Sequence, residues 1–377
     1  MGYIMSTDTA AMCSSIRSFA EKEIKPYVSE IDESGRFPQE IYQKMFEMGL
    51  HCMGVPEEYG GGGLDTLTCA VLVEELAKVD AGIIDTIAGT ELALGTVLAA
   101  GNESQKKLFA KIVVPGAHAA FALTEPDAGS DAAAIKTIAD RDGDSYVING
   151  RKCFITNGAV ADVYVVFAKT DREKGTKGIS AFIVERSRAG ISVGKEENKM
   201  GIRSSNTCDV IFDEVRVPAD HLLGEEGKGF KYAMMSLDRG RLLAAAMALG
   251  IAQRALDEAV SYAKVRKTFQ KPIAELQSIR FMLADMDMKV ESARQMLAHA
   301  IQLEMAGKPY TREAAMAKCL ASDAAFAVAS DAVQIMGGYG YMRDYPVEKL
   351  LRDAKIFQIF EGTNQIQRVV ISGALLK

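Results

Sequence analysis

The period of the hydrophobic pattern changes twice along this chain, and that double change limits the possible folds more than any single residue does. From residue 1 to about 118, the stretches SIRSFAEKEIKPYVSEI, PQEIYQKMFEMGL, LTCAVLVEELAKV and NESQKKLFAKIV carry apolar residues three and four apart, the spacing of helices. Breaks at VPEEYGGGGLD and AAGNES separate them. Between about 119 and 225 the pattern becomes short alternating runs, SYVING, RKCFIT, VYVVFAK, GISAFIVE and CDVIFDEVRVP. Strands without intervening helices predict an antiparallel sheet or barrel, with Asn149-Gly150 as a two-residue hairpin turn. After GEEGKGF the helical period returns. Leu276, Leu283, Val290 and Leu297 fall seven apart, and Ile279, Met286, Ala293 and Ala300 form a second row, the seam of a bundle helix. The Ala-rich segment before it, 230–264, is apolar on most sides and is expected at the bundle centre. The expectation is a mainly α chain with a β domain: an N-terminal helical domain (1–118), a middle antiparallel β domain (119–225) and a C-terminal helical bundle (226–377).

Composition removes several classes of function. Apolar residues make up 48% and charged residues 25%, the balance of a soluble globular protein. A net charge of −6 argues against affinity built on nucleic-acid phosphates. No apolar run reads as a membrane span, and the N-terminus has no basic region followed by an apolar core, so a soluble, unexported protein is expected. The six cysteines, Cys13, Cys52, Cys69, Cys153, Cys208 and Cys319, are scattered without C-x-x-C or metal-ligand spacing and read as buried thiols; no metal site is expected. None of the four histidines stands beside an obvious nucleophile.

Several short motifs could carry chemistry. In AKIFQIFEGTNQIQ, the apolar Ile356, Phe357, Ile359 and Phe360 precede a single acid, Glu361, which is either an exposed cap or a carboxyl held from water and made more basic. FALTEPDAGSD (121–131) is dense in small hydroxyl and acidic residues, suited to a ligand near the backbone, although an ordinary loop explains it as well. LDRGR (237–241) puts Asp238 and two arginines inside an apolar helix, where charge must be paired internally or face a ligand. VRKTFQ (265–270) and QIMGGYGY (334–341) set polar side chains beside aromatic and Gly residues. Neither is a G-x-G-x-x-G turn after a strand, so the nicotinamide fingerprint is absent.

Taken together and in order, PEEYGGGGLD, LTEPDAGSD, FITNG, LDRGR, RKTFQ, QIMGGYGY and RDAKIFQIFEGTNQIQ resemble the acyl-CoA dehydrogenase family over almost the whole chain, most of all its short-chain, butyryl-CoA type. The resemblance implies three domains ending in a four-helix bundle, noncovalent FAD, a homotetramer, and removal of two hydrogens from the α and β carbons of an acyl-CoA. Electrons would pass to an electron-transfer flavoprotein, and a bacterial cytoplasmic location is expected, with a mature mitochondrial-matrix form as the alternative.

By the same resemblance Glu361 is the catalytic base. Leu123, Thr124 and Ser130 match flavin or phosphate contacts, and Phe154, Ile155 and Thr156 match the strand against the flavin ring. Arg266, Phe269 and Gln277 match the adenosine half of FAD, while Gln334, Gly337 and Gly338 match a stretch reaching the FAD of a neighbouring subunit. Thr363 and Gln365 match cofactor contacts, and Ser130, Asp238, Arg241 and Gly362 match the CoA thioester side. Isovaleryl-type members carry their base at the position of Gly240, which strengthens Glu361. Gln270 departs from the family's usual Gly, Asn206 interrupts a small Ser/Thr run, and Asp85 and Glu91 stand where neutral residues are common. Those two acids are expected to be solvated, with an unusual or polar acyl group as the other explanation. Three alternatives stay open: an acyl-CoA oxidase-like enzyme, a glutaryl-CoA-type decarboxylating dehydrogenase, and a nonenzymatic or nucleic-acid-binding relative of the fold.

Overall fold

The computed structural model describes Tyr3 and residues 5–376. Six helices come first: α1 (Thr7–Phe19), α2 (Val28–Ser34), α3 (Gln39–Glu47), α4 (Thr66–Ala77), α5 (Ala81–Ala100) and α6 (Glu103–Val113). Side-chain caps fix four of their starts, since Ser6, Asp65, Asp80 and Asn102 each accept a backbone N–H of the first turn. The polar breaks of the sequence are therefore helix starts as much as helix ends.

Eight strands follow: β1 (His118–Ala122), β2 (Ile138–Asp142), β3 (Ser145–Thr156), β4 (Ala161–Lys169), β5 (Ile179–Glu185), β6 (Ile191–Val193), β7 (Thr207–Pro218) and β8 (Leu222–Leu223). They form one sheet in the order β6-β7-β3-β2-β4-β5-β8, with β1 beside β4. Most pairings are antiparallel, as the alternating runs predict, but β1 and β2 each run parallel to β4. Parallel pairing needs a long return path, and the β2–β3 hairpin supplies it. The hairpin turn itself is not at Asn149-Gly150. Asp142 pairs with Ser145, so Gly143-Asp144 makes the turn. Asn149 and Gly150 lie inside β3, where the register against β7 shifts between Ile148 and Gly150. There the Asn149 side chain donates to Glu214 Oε1 at 2.7 Å and accepts the Glu214 N–H at 2.8 Å. A pair that suits a tight turn also suits a β-bulge, and only the pairing partner decides between them.

The remainder is helical apart from a short hairpin, β9 (Lys267–Thr268) and β10 (Lys271–Pro272): α7 (Gly229–Val265), α8 (Gln277–Met305), α9 (Thr311–Met336), α10 (Val347–Ile356) and α11 (Asn364–Leu375). As expected, α7 is central, with Ala244, Ala245, Ala246, Ala248 and Ala252 all buried. On α8 the two rows are buried from Met286 to Ala300, but Phe281 and Met288 are 60% and 59% exposed. Contrary to the sequence expectation, α5 and the Thr311–Tyr341 stretch are long and apolar enough to cross a membrane by length and composition. Here their apolar faces are packed inside the protein, Ile83, Ile84, Ile87, Leu94 and Val97 of α5 among them.

A buried ionic clasp ties the three regions together. Asp80, the cap of α5, pairs with Lys349 of α10 at 2.8 Å, and Lys349 pairs again with Asp353 at 2.5 Å. From the segment between β6 and β7, Ile202 N–H donates to Asp353 at 2.6 Å and the Ser204 hydroxyl to Asp80 at 2.5 Å. Burial opposes the Lys349 charge, yet Asp353 and Asp80 outweigh it and hold the ammonium well above its usual range. Removing the cation leaves two buried acids facing each other. Lys349→Met is therefore expected to destabilise the fold by about 3–5 kcal/mol, read as a lowered thermal midpoint at neutral pH.

Candidate active site

The turn that joins α10 to α11 aims one carboxylate between α5 and α7. Glu361 and Gly362 are consecutive left-handed residues, with φ of 53° and 84°. A side chain in that conformation costs roughly 1 kcal/mol and persists where its surroundings impose it. They do so here. Gln367 Nε2 donates to the Glu361 carbonyl at 3.0 Å and to the Gly362 carbonyl at 2.9 Å. The buried Lys318 ammonium of α9 donates to Gly362 O at 2.7 Å and to Asn364 Oδ1 at 3.0 Å. Among the described residues the Glu361 N–H has no hydrogen-bond acceptor.

Exposure of Glu361 as a residue is intermediate, but its Oε2 is shut away from solvent without a partner. A Cβ added at Gly240 of α7 would lie 2.8 Å from that oxygen and 2.8 Å from Leu92 Cδ1 of α5. Burial pushes the Glu361 carboxyl up to about 7, with the Asp85 charge adding to it and the Arg241 and Lys318 charges opposing it. The drying groups are not those nearest in sequence. Phe357 and Phe360 pack edge to face at 4.9 Å within the core, and Ile359 is 49% exposed. Water is kept from the acid by Leu92 and the surface at Gly240, from helices far away in the chain.

Around this acid the charges of LDRGR are paired internally. Arg241 bonds Asp238 at 2.5 Å, and Asp238 accepts the Thr311 hydroxyl at 2.6 Å. Arg239 approaches Glu91 at 3.9 Å, and Gly54 N–H donates to Glu91 at 2.9 Å. Glu91 and Asp85 are both buried, 3% and 5% exposed, which overturns the solvated expectation.

The loop after β1 and the end of β3 come together beside α5. Cys153 N–H donates to Thr124 O at 2.9 Å. The acid of the loop, Glu125, is anchored to the buried Lys152 at 2.8 Å and accepts the Lys136 and Thr137 N–H groups, so it holds the loop in place. Leu123 and Ile155 are buried, Thr124 and Thr156 half-buried, and Ser130 exposed. Phe154 is 65% exposed at φ 54°. Next to them Asn157 donates to Thr86 O at 2.8 Å and to Ala119 O at 2.9 Å, locking β3 to α5 and β1. Asn206, one of the departures from the family pattern, cross-links two segments of the β domain, accepting the Ala159 N–H at 2.9 Å and donating to Glu196 at 3.0 Å.

Arg266, Phe269, Gln277, Gln334, Gly337 and Gly338 form a separate exposed group, linked by the Arg266 guanidinium over the Tyr339 ring at 5.4 Å. Among the described residues no hydrogen bond, ion pair or ring contact joins this group to Phe154 or Thr124. Phe269 and Gln270 form a two-residue hairpin turn with φ of 48° and 65°. That geometry prefers Gly, which explains why Gln270 is a departure. Of the C-terminal candidates, Thr363 caps α11 by accepting the Ile366 N–H at 3.2 Å, and Gln365 is exposed on its first turn. Among the described residues, five of the seven non-glycine residues with positive φ, Phe154, Asn157, Phe269, Gln270 and Glu361, lie in these candidate segments.

Sequence reasoning missed Lys318, Gln367 and Leu92. The available signal was Lys318, a lone cation within the Ala-rich EAAMAKCLASDAAF. Burial lowers it to about 8, with the Glu361 charge opposing that fall.

The three domain models of one family account for nearly all of this chain: acyl-CoA dehydrogenase N-terminal domain at residues 6–116, middle domain at 120–215 and C-terminal domain at 227–376. The chain belongs to the acyl-CoA dehydrogenase family and is a flavin-dependent oxidoreductase. It is 50% identical to the short-chain specific acyl-CoA dehydrogenase of Clostridium acetobutylicum, covering 96% of both proteins. Identity to the mitochondrial short-chain specific acyl-CoA dehydrogenase of Bos taurus is 48%, over 96% of this chain and 88% of that one. Butyryl-CoA dehydrogenase from Megasphaera elsdenii superposes with a TM-score of 0.97 at 47% identity over 100% of both chains. A chain in a structure of the electron transferring flavoprotein of Acidaminococcus fermentans also gives 0.97, at 48% identity and 100% coverage of both.

The close approach at Gly240 generates a test. Gly240→Ala places a methyl group against Glu361 Oε2 and Leu92, and is expected to lower turnover roughly 100-fold while the fold and flavin content are kept. Steady-state kinetics beside circular dichroism and flavin absorbance check it.

Proposed function

We propose that this protein removes the α and β hydrogens of a short-chain acyl-CoA, or reduces the corresponding 2-enoyl-CoA, exchanging electrons with an electron-transfer flavoprotein. The observation that carries this reading is the Glu361 carboxyl, raised to about 7, with its Oε2 closed off and unpartnered against Gly240 of α7 and Leu92 of α5. A free Glu near 4.3 is too weak a base for a carbon acid, and the raised proton affinity brings donor and acceptor closer. Glu361 takes the α proton. Its own free N–H is positioned in the same turn to stabilise charge developing on the thioester oxygen, as an oxyanion hole does. Lys318 and Gln367 keep that turn from relaxing, so base and N–H stay in register. Asp238, Arg241, Gly362 and Ser130 are assigned to the CoA thioester side.

FAD accepts the β hydrogen as hydride when bound. The residues fit such a group: Phe154 offers an exposed ring face beside Thr124 and Thr156, and Phe269 is 85% exposed next to Arg266. At Gly337 and Gly338 an added Cβ would meet nothing within 4 Å, leaving backbone open to approach. Leu123, Ile155, Gln277, Gln334, Thr363 and Gln365 complete the proposed contacts. Because the two exposed groups are unconnected within one chain, a homotetramer that brings the 334–338 segment to a neighbour's cofactor is part of the proposal. The exposed Phe281 and Met288, one heptad apart on α8, support a covered face there. Domain limits of 1–118, 119–225 and 226–377 and a bacterial cytoplasmic setting belong to the same reading.

Glu361→Gln is expected to retain FAD and to abolish flavin bleaching by butyryl-CoA under anaerobic conditions; bleaching at the normal rate would refute the base. The base works ionised and titrates at about 7. Wild-type kcat/KM is therefore expected to rise about tenfold per pH unit below 7 and to level off above it.

Arg266→Ala is expected to weaken FAD retention more than acyl-CoA affinity, compared by flavin release on dilution and by acyl-CoA titration.

A further inference from the structure

Two turns of α5 before Leu92 lies an acid that the proposed chemistry does not use. Asp85 is 5% exposed, its Oδ2 has no hydrogen-bond partner, and among the described residues it forms no ion pair. Asp85, Gly89 and Leu92 share one stripe of the helix. A Cβ at Gly89 would lie 3.1 Å from Thr156 Cγ2, and Leu92 touches the Gly240 surface against the Glu361 carboxylate. The stripe thus runs from the base, past the end of β3, to Asp85, about 10 Å along the axis for seven residues.

The groups around Asp85 leave it short of donors. Lys199 lends it positive charge, but that ammonium already donates to the Ser205 carbonyl, to Ser205 Oγ at 3.2 Å and to Thr207 Oγ1 at 3.0 Å. The Ser205 hydroxyl donates to Ile202 O at 3.0 Å. That hydroxyl and the Thr156 hydroxyl are the two donors close to Asp85, and Glu361 meets it as a second negative charge. Burial lifts Asp85 to about 6, which leaves it mainly ionised at neutral pH. Glu91 also has an oxygen without a hydrogen bond, Oε2, but an arginine faces it at 3.9 Å and the Gly54 N–H donates to its other oxygen. A buried carboxylate with one oxygen unanswered is costly in a cleft lined by the partly exposed Gly89 and Leu92, unless the bound acyl tail supplies the missing donor.

We propose that Asp85 is a specificity-determining residue that favours acyl-CoA thioesters whose tail ends in a hydrogen-bond donor, a hydroxyl or an ammonium, and disfavours tails ending in a carboxylate. The proposal rests on the reading of Glu361 as the base, which makes this cleft the acyl site. It is tested on the holoenzyme with CoA thioesters of four, five and six carbons ending in methyl, hydroxyl, ammonium or carboxylate, followed anaerobically by flavin bleaching.

At the best-fitting length the donor-ended thioester is expected to exceed its methyl counterpart by roughly tenfold or more in kcat/KM, with the carboxylate lowest. Asp85→Leu is expected to reverse the order of donor and methyl. Should that variant lose its flavin, Asp85→Asn carries the comparison, keeping a hydroxyl preference and losing the ammonium one. Methyl-ended tails winning at every length in the wild type, or an order that these variants leave unchanged, overturns the assignment while the base reading stands. Bleaching by none of the thioesters overturns the base reading, and this inference with it.

Discussion

A carboxylate with one oxygen shut from water and unpartnered is the constraint around which the rest of the site is organised. An ionised acid in such a place is tolerated only where its surroundings cannot rearrange to solvate or pair it. Glu361 meets that condition because its backbone is held in a left-handed turn by Gln367 and Lys318 while its side chain ends against Gly240 and Leu92. Arg241 and Lys318 lower its proton affinity and Asp85 raises it, so burial is tempered and the carboxyl stays close to neutral pH.

Rigidity at that point depends on contacts made elsewhere. The Lys349 clasp joins α5, the segment between β6 and β7, and α10, so the helix that dries Glu361 is tied to the helix that precedes it. Asn157 and the Glu125–Lys152 pair do the same for the strand end and loop facing the cleft. Strained backbone collects in these candidate segments, as expected where geometry is imposed by function and stabilised by distant packing. The acid-bearing stripe of α5 adds a second level, because one helix both shields Glu361, the proposed base, and carries the group proposed to read the acyl tail.

Much of this was legible in the residues. The change of period located the helical and β regions, the central Ala-rich helix and the buried rows of α8, since burial imposes its own period on a chain whatever its partners are. Glu361 stood out as a lone acid after large apolar residues, and the family resemblance assigned it. The Asn149-Gly150 pair misled, because its chemistry suits a bulge as well as a turn. The apolar residues just before Glu361 do not all shield it, since Ile359 faces solvent and Phe360 packs against the core. Asp85 and Glu91 were expected in water because charge usually is there.

The sequence alone thus determined the order of helices, strands and helices, the single acid at position 361 and the family to which the chain belongs, all of which rest on local periodicity and motif order. Only the tertiary structure decided that α5 and α7 dry that acid, that Lys318 and Gln367 hold its turn, and that Asp85 is buried with one oxygen unanswered. Those properties arise from pairs of residues far apart in the chain, and neither desolvation nor an unanswered hydrogen bond can be read before the partners are in place.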